Sequence, residues 1–156
     1  MREAIDKLEG ELRGLEHELR IELPKEIQKA VAMGDLRENA EYAAALERQA
    51  YVKARIGQLR QRLGELSSMN LDSVPRDRVA IGSKVKLLDI DKDEELTYEL
   101  VIPEVADLDR GMISLASPIG QSLMGKQEGD EVLCKIPAGE RNFEILELET
   151  IHDREG

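Results

Sequence analysis

The chain has 156 residues, 35% charged and 3% aromatic, with a formal net charge of −11, a length that suits one ordinary domain or two small ones. One Phe, no Trp and a single cysteine, Cys134, exclude an intramolecular disulfide, a cysteine-based zinc site and an RNA reader that stacks bases on exposed rings. The acidic balance speaks against a dedicated duplex-DNA binder, which needs a basic face for phosphate, and no run approaches the roughly 18 apolar residues of a membrane span.

The expectation is a cytoplasmic, monomeric protein with no membrane association and no signal peptide. Its charge is uneven. Residues 1–70 carry 12 Lys+Arg and 13 Asp+Glu, whereas residues 71–156 carry 10 and 20. The excess acid therefore belongs to the second half, where proline and glycine also become frequent.

The first half reads as helix. Ile5, Leu8, Leu12, Leu15 and Leu19 step by 3, 4, 3 and 4 residues. Tyr42, Ala45, Gln49, Val52, Ile56, Leu59, Leu63 and Leu66 repeat that alternation further on. Sustained 3-4 spacing with charges between predicts two coiled-coil helices, and the short break between them predicts an antiparallel hairpin. Pro24 lacks the N–H that a helix interior needs, so a kink is expected there. Gly10, Gly14, Gly57 and Gly64 each cost about 1 kcal/mol relative to Ala, and close approach of the two arms would account for them. Arms of about 30 residues make a rod roughly 45 Å long, too thin to hold much core.

Between the arms runs Met33-Gly34-Asp35-Leu36-Arg37-Glu38-Asn39-Ala40-Glu41-Tyr42. Gly34 can end the first helix in a left-handed conformation. Asp35, with Glu38 three residues on, then forms a capping box for the second helix. The same two carboxylates, at the end of a rod, are hard oxygen ligands suited to Mg²⁺. The roles are compatible, and spacing does not choose between them.

The polar stretch that ends at Pro75 reads as a linker, assigned to residues 71–78 between a finger (1–70, tip at 34–42) and a globular domain (79–156). In the latter, residues 79–88, 96–102, 112–115, 131–136 and 142–148 are expected strands. Cys134 falls in one of them as a small buried hydrophobe. Ser117, Pro118 and Gly125 punctuate one short helix as N-cap, first helical position and stop. Antiparallel strands with one helix make an α+β domain. His17 and His152 fall in different domains, which speaks against a shared metal site.

The segment from Gly34 to Tyr42 closely resembles the tip signature of the bacterial Gre transcript cleavage factors, GreA type. Ser117-Pro118-Ile119-Gly120, Leu123-Met124-Gly125-Lys126 and Gly129-Asp130-Glu131-Val132 resemble the family's second signature, and Phe143-Glu144-Ile145 continues it. The resemblance implies an α+β two-domain protein, an N-terminal antiparallel coiled-coil hairpin with a C-terminal FKBP-like antiparallel β domain. It implies bacterial RNA polymerase as partner, with Ser117, Pro118, Ile119 and Gly120 docking at the rim of its secondary channel. Asp35 and Glu38 would reach the polymerase active centre, share its Mg²⁺ and stimulate cleavage of the 3′ end of backtracked nascent RNA. The isolated protein would bind no metal and be no enzyme itself. Lys29, Arg37, Arg48 and Lys53 are the bases near the tip, few enough to imply weak RNA contact. The alternative reading is a Gre-like channel regulator or inhibitor that does not stimulate cleavage.

Overall fold

The computed structural model describes residues 2–36 and 38–155. It divides into two compact units, one of Arg2–Met69 and one that begins at Asn70.

The first unit is the helical hairpin. Its outgoing arm comprises α1 (Arg2–His17), a π-helical turn (Glu18–Glu22) and α2 (Leu23–Val31), and its returning arm is α3 (Ala40–Ser67). The 28 residues of α3 rise about 42 Å. The seam follows the 3-4 pattern: Ala45, Val52, Ile56, Leu59 and Leu66 are buried on α3. Leu12, Leu15 and Leu19 pack half-buried against Leu23, Val52 and Ile56. Ion pairs lace the arms from outside, Arg48 to Glu18 at 2.6 and 2.8 Å and Arg55 to Glu11 at 2.8 and 3.1 Å.

The kink expected at Pro24 takes the form of the π turn just before it. There the Leu23 N–H donates to the Glu18 carbonyl, five residues back. Such a turn contains one residue more than an α-helical one, and the seam records the insertion. Unbroken 3-4 steps after Leu19 would bring Glu22, Glu26 and Lys29 inward. All three are exposed, and Leu23, Ile27 and Ala30, each one residue later, take their places, Leu23 and Ala30 fully buried. The extra residue thus accommodates Pro24 and keeps carboxylates out of the seam.

The glycines do not serve close approach of the arms. A Cβ at Gly14, Gly57 or Gly64 would meet nothing within 4 Å, and one at Gly10 would meet only the Arg13 guanidinium at 4.0 Å.

The second unit is a five-stranded sheet, β1 (Lys84–Asp89), β2 (Glu94–Val101), β3 (Met112–Ser114), β4 (Glu131–Ile136) and β5 (Gly139–Glu149), in the order β3-β2-β1-β5-β4. The sheet is mixed rather than wholly antiparallel, because the short β3 pairs parallel with β2. The first expected strand begins later, at Lys84. Residues 79–83 form a loop anchored by the Val79 N–H on the Lys126 carbonyl, at 2.8 Å. One face of the sheet carries the core: Val85, Leu87, Leu100, Ile113, Val132, Cys134, Phe143 and Ile145, closed by Val79 and Leu123. A bulge in β5 opposite Lys86 and Leu87 shifts the inward phase, so that Ile145 and Leu148, three residues apart, both pack on that core.

Two short helices complete the unit, α4 (Pro118–Leu123) and α5 (Ile151–Glu155). The latter, absent from the sequence reading, is capped by Asp153, which accepts from the Thr150 N–H at 2.8 Å. Val74, within the stretch read as linker, is buried with Ala80 and Ile151, and its carbonyl accepts from His152 Nε2 at 2.7 Å. No helix among the described residues is long and apolar enough to cross a membrane.

Candidate functional site

The two predicted acids lie in the turn that joins the arms. α2 ends at Val31, and the chain leaves it through the Met33 N–H on the Ala30 carbonyl (3.1 Å) and the Gly34 N–H on the Val31 carbonyl (3.5 Å). Gly34 has φ +123°, a backbone geometry that a side chain disfavours. Asp35 and Glu38 are both exposed, as are Met33 and Leu36 beside them. Arg37 lies outside the described residues.

The expected capping box is not formed. α3 starts at Ala40 and its N-cap is Asn39, whose Oδ1 accepts from the Tyr42 N–H at 3.0 Å. Asp35 is four residues too early to cap that helix. Asn39 also turns its Nδ2 to the Ala30 carbonyl at 2.5 Å. An oxygen is needed at Tyr42 and an NH₂ at Ala30, so the two partners fix the amide's orientation. This residue was missed in the sequence. Its signal was present, because Asn is as good an N-cap as Asp, but its second partner is nine residues away.

Of the bases named near the tip, Arg48 is engaged. It forms the bidentate pair with Glu18 and lies 5.1 Å over the Tyr51 ring. Its hydrogen bond holds the Glu18 carboxyl below the usual carboxylate range. An RNA phosphate reaching Arg48 would compete with the Glu18 carboxylate for its donors. Lys29 is exposed in the last turn of α2. Lys53 is also exposed, but 13 residues into α3 it stands about 20 Å along the arm.

The residues expected to dock form the start of α4 in the other unit. The Ser117 hydroxyl donates to the Ser114 carbonyl at 2.6 Å and accepts from the Gly120 N–H at 3.1 Å. Gly120 is buried, and a Cβ there would lie 2.2 Å from the Ser114 carbonyl oxygen. Ile119 packs half-buried on the core, and Pro118 alone of the four is exposed. The motif shapes this corner of the unit and offers Pro118 to the outside.

Among the described residues no group of three or more His, Cys, Asp or Glu is placed to hold a metal ion. Two exposed carboxylates supply only part of a magnesium shell, which is octahedral and oxygen-rich. Their donor chemistry fits an ion whose other ligands come from elsewhere.

A family model described as "Transcription elongation factor, N-terminal" matches residues 1–67, and one described as "Transcription elongation factor, GreA/GreB, C-term" matches residues 74–150. The transcription elongation factor GreA of Desulfotalea psychrophila is 46% identical over 144 residues, which span 92% of this chain and 89% of that protein. GreA of Helicobacter hepaticus is 45% identical over 143 residues, spanning 92% and 88%. Among solved structures, the GreA factor homolog 1 (Gfh1) protein of Thermus thermophilus is 28% identical and covers 93% of this chain and 94% of its own, with a TM-score of 0.43, too loose a superposition to carry any argument about arrangement. With both halves matched and relatives this similar along almost its whole length, the chain belongs to the GreA/GreB family of transcription elongation factors.

Proposed function

We propose that this protein stimulates cleavage of backtracked RNA by bacterial RNA polymerase and contributes no complete active site of its own. Asp35 and Glu38 are the working groups. The observation that carries the reading is the exposure of both carboxylates at the turn while a neutral residue, Asn39, caps the following helix. Acids not committed to capping remain able to ligate.

In this reading the finger enters the secondary channel, and the globular unit rests on the channel rim through a surface that includes Pro118. Asp35 and Glu38 complete the coordination of a Mg²⁺ at the polymerase active centre, the shell that two carboxylates cannot fill unaided. When bound, that ion supplies an activated water and charge stabilisation for the leaving oxygen. The two side chains hold oxygen donors at a fixed place and orient the water for attack on the phosphodiester. Lys29, in the last turn of α2, is the base best sited to touch extruded RNA, and Arg37 lies between the two acids in sequence.

The test is a stalled, backtracked elongation complex with labelled RNA, mixed with wild type, Asp35→Asn or Glu38→Gln. Wild type should shorten the RNA. Each variant should lose on the order of 10²-fold or more in rate, the size of effect seen when a group that stabilises developing charge is removed, with polymerase binding unchanged. Cleavage by both variants at the wild-type rate would refute metal delivery by the tip.

A further inference from the structure

We infer that Asn39 is a positioning residue for the tip carboxylates, acting as a clasp that closes the inter-arm loop on a single oxygen atom. The inference rests on the proposed role of Asp35 and Glu38 for its effect on cleavage, though not for its effect on structure.

The Ala30 carbonyl accepts two hydrogen bonds, from the Met33 N–H at 3.1 Å and from Asn39 Nδ2 at 2.5 Å. A carbonyl has two lone pairs, and both are used. One donor belongs to the residue that enters the loop and the other to the residue that leaves it. Asp35 and Glu38 lie between them, so the loop that bears both acids is pinned at each end to the same atom. That atom is held in turn, because Ala30 is only 2% exposed and belongs to the buried seam. Asn39 Oδ1 meanwhile receives the Tyr42 N–H and ties the same side chain to the first turn of α3. One amide thus joins the last turn of one arm to the first turn of the other. Glu38 immediately precedes it in the chain, and the Asn39 backbone that follows Glu38 is extended at φ −88° and ψ 99°.

Apolar burial adds little to this among the described residues. Met33 is 63% and Leu36 46% exposed, so no apolar core lies beneath the acids. A ligand on an unsupported loop is held too loosely to act, whereas one supported by fixed hydrogen bonds is not. A neutral amide carries its donor and its acceptor on separate atoms, so it serves one helix end with the NH₂ and the other with the oxygen. Ser and Thr reach less far, and Asp has no donor.

That difference gives a test that separates clasp from cap. Asn39→Asp keeps a good N-cap acceptor for Tyr42 and replaces the donor to Ala30 with an oxygen that repels the carbonyl. Asn39→Ser also keeps a capping oxygen, adds no charge and is too short to reach Ala30. Amide hydrogen exchange on the full chain should show faster exchange in both variants at Met33 and Gly34, whose N–H groups bond to the end of α2, with Tyr42 still protected. In the backtracked-complex assay the maximal cleavage rate should fall on the order of 10²-fold, the effect of a misplacement of about 1 Å. The factor concentration giving half-maximal effect should stay the same. Unchanged exchange in the loop would overturn the clasp, and so would wild-type cleavage from a loosened loop. If Asp35→Asn and Glu38→Gln cleave normally, metal delivery fails, while the exchange result still decides the clasp.

Discussion

Deleting Ile21 turns the π turn into a quantitative experiment. Ile21 is 40% exposed and adds length to the turn rather than packing to the seam. Its removal carries Leu23, Ile27 and Ala30 back one place, so that the seam runs in unbroken 3-4 steps from Ile5 to Ala30. No core side chain has to leave the seam. What disappears is the wide turn ahead of Pro24. The proline ring then meets the carbonyl four residues back in a regular helix, a clash and lost hydrogen bond that together cost about 3 kcal/mol. In a unit of this size 1 kcal/mol shifts the melting temperature by about 4–8 °C, so the deletion should lower it by roughly 12–24 °C. Combining it with Pro24→Ala removes the clash and keeps the regular seam, and should restore the parental melting temperature or exceed it. Pro24→Ala alone should change little, because the extra residue still requires the π turn. Thermal melts of the full chain, followed by helical circular dichroism, measure all three. A deletion that melts at or above the parent would refute the account, as would a double variant no more stable than the deletion alone.

Gly120→Ala should destabilise the globular unit by about 3 kcal/mol, the upper range for overpacking, because its Cβ would lie 2.2 Å from a backbone oxygen; loss of exchange protection at Phe143 and Ile145, with the finger's helical signal retained, would verify it. Hydrogen bonds from Arg55 and Arg48 hold the Glu11 and Glu18 carboxyls below their ordinary 4.5. A lowered folded-state value means that the contribution is complete above the unfolded value and is lost as pH falls through the folded one. The finger's melting temperature should therefore be flat from neutral pH to about 5 and fall below that, and the Glu11→Gln, Glu18→Gln double variant should show a shallower fall; an identical profile would mean that the pairs contribute nothing. Deleting residues 12–18 with residues 48–54 removes one heptad from each arm, keeps the seam in phase and leaves Arg55 to pair with Glu11 in place of the Arg48–Glu18 bridge. It shortens the finger by about 10 Å, and the protein should fold and bind polymerase without stimulating cleavage. Full cleavage by the shortened finger would contradict delivery at a fixed reach.

What was legible in the sequence was what local pattern alone determines. The α3 seam shows as a clean 3-4 alternation, and β4 occupies residues 131–136 as read. α4 begins and ends at Ser117, Pro118 and Gly125 because each fits one role and no other. The π turn was half legible: Pro24 signals a disturbance, but only the arm packed opposite determines that Leu23 rather than Glu22 turns inward. The parallel β2–β3 pair involves three residues on β3, too few for periodicity to register, and strand direction is not a property of one strand's sequence. The bulge in β5 was hidden for a related reason, since Ile145-Leu146 reads as two apolar neighbours until β1 lies beside them. At the tip, Asp35 and Asn39 are both good capping residues. The choice between them depends on Ala30, nine residues before Asn39, a partner that no local motif contains.

That choice bears directly on the chemistry. Had Asp35 capped α3, one of the two acids would face the helix backbone, its charge committed to the positive helix end. With Asn39 as the cap, the Tyr42 N–H is met by a neutral side chain, and neither acid is the N-cap of α3. The same division runs along the arm. Carboxylates that strict heptad spacing would turn inward, Glu22 and Glu26, are kept outside by the π turn, and the cross-arm acids, Glu11 and Glu18, are each met by an arginine. Stability therefore depends on the seam and its flanking pairs, while the exposed acids at the turn depend on the arms only for their position. A protein built this way should tolerate loss of charge at the tip without unfolding and loss of reach without losing its partner. The tip substitutions and the heptad deletion separate chemistry from position for that reason.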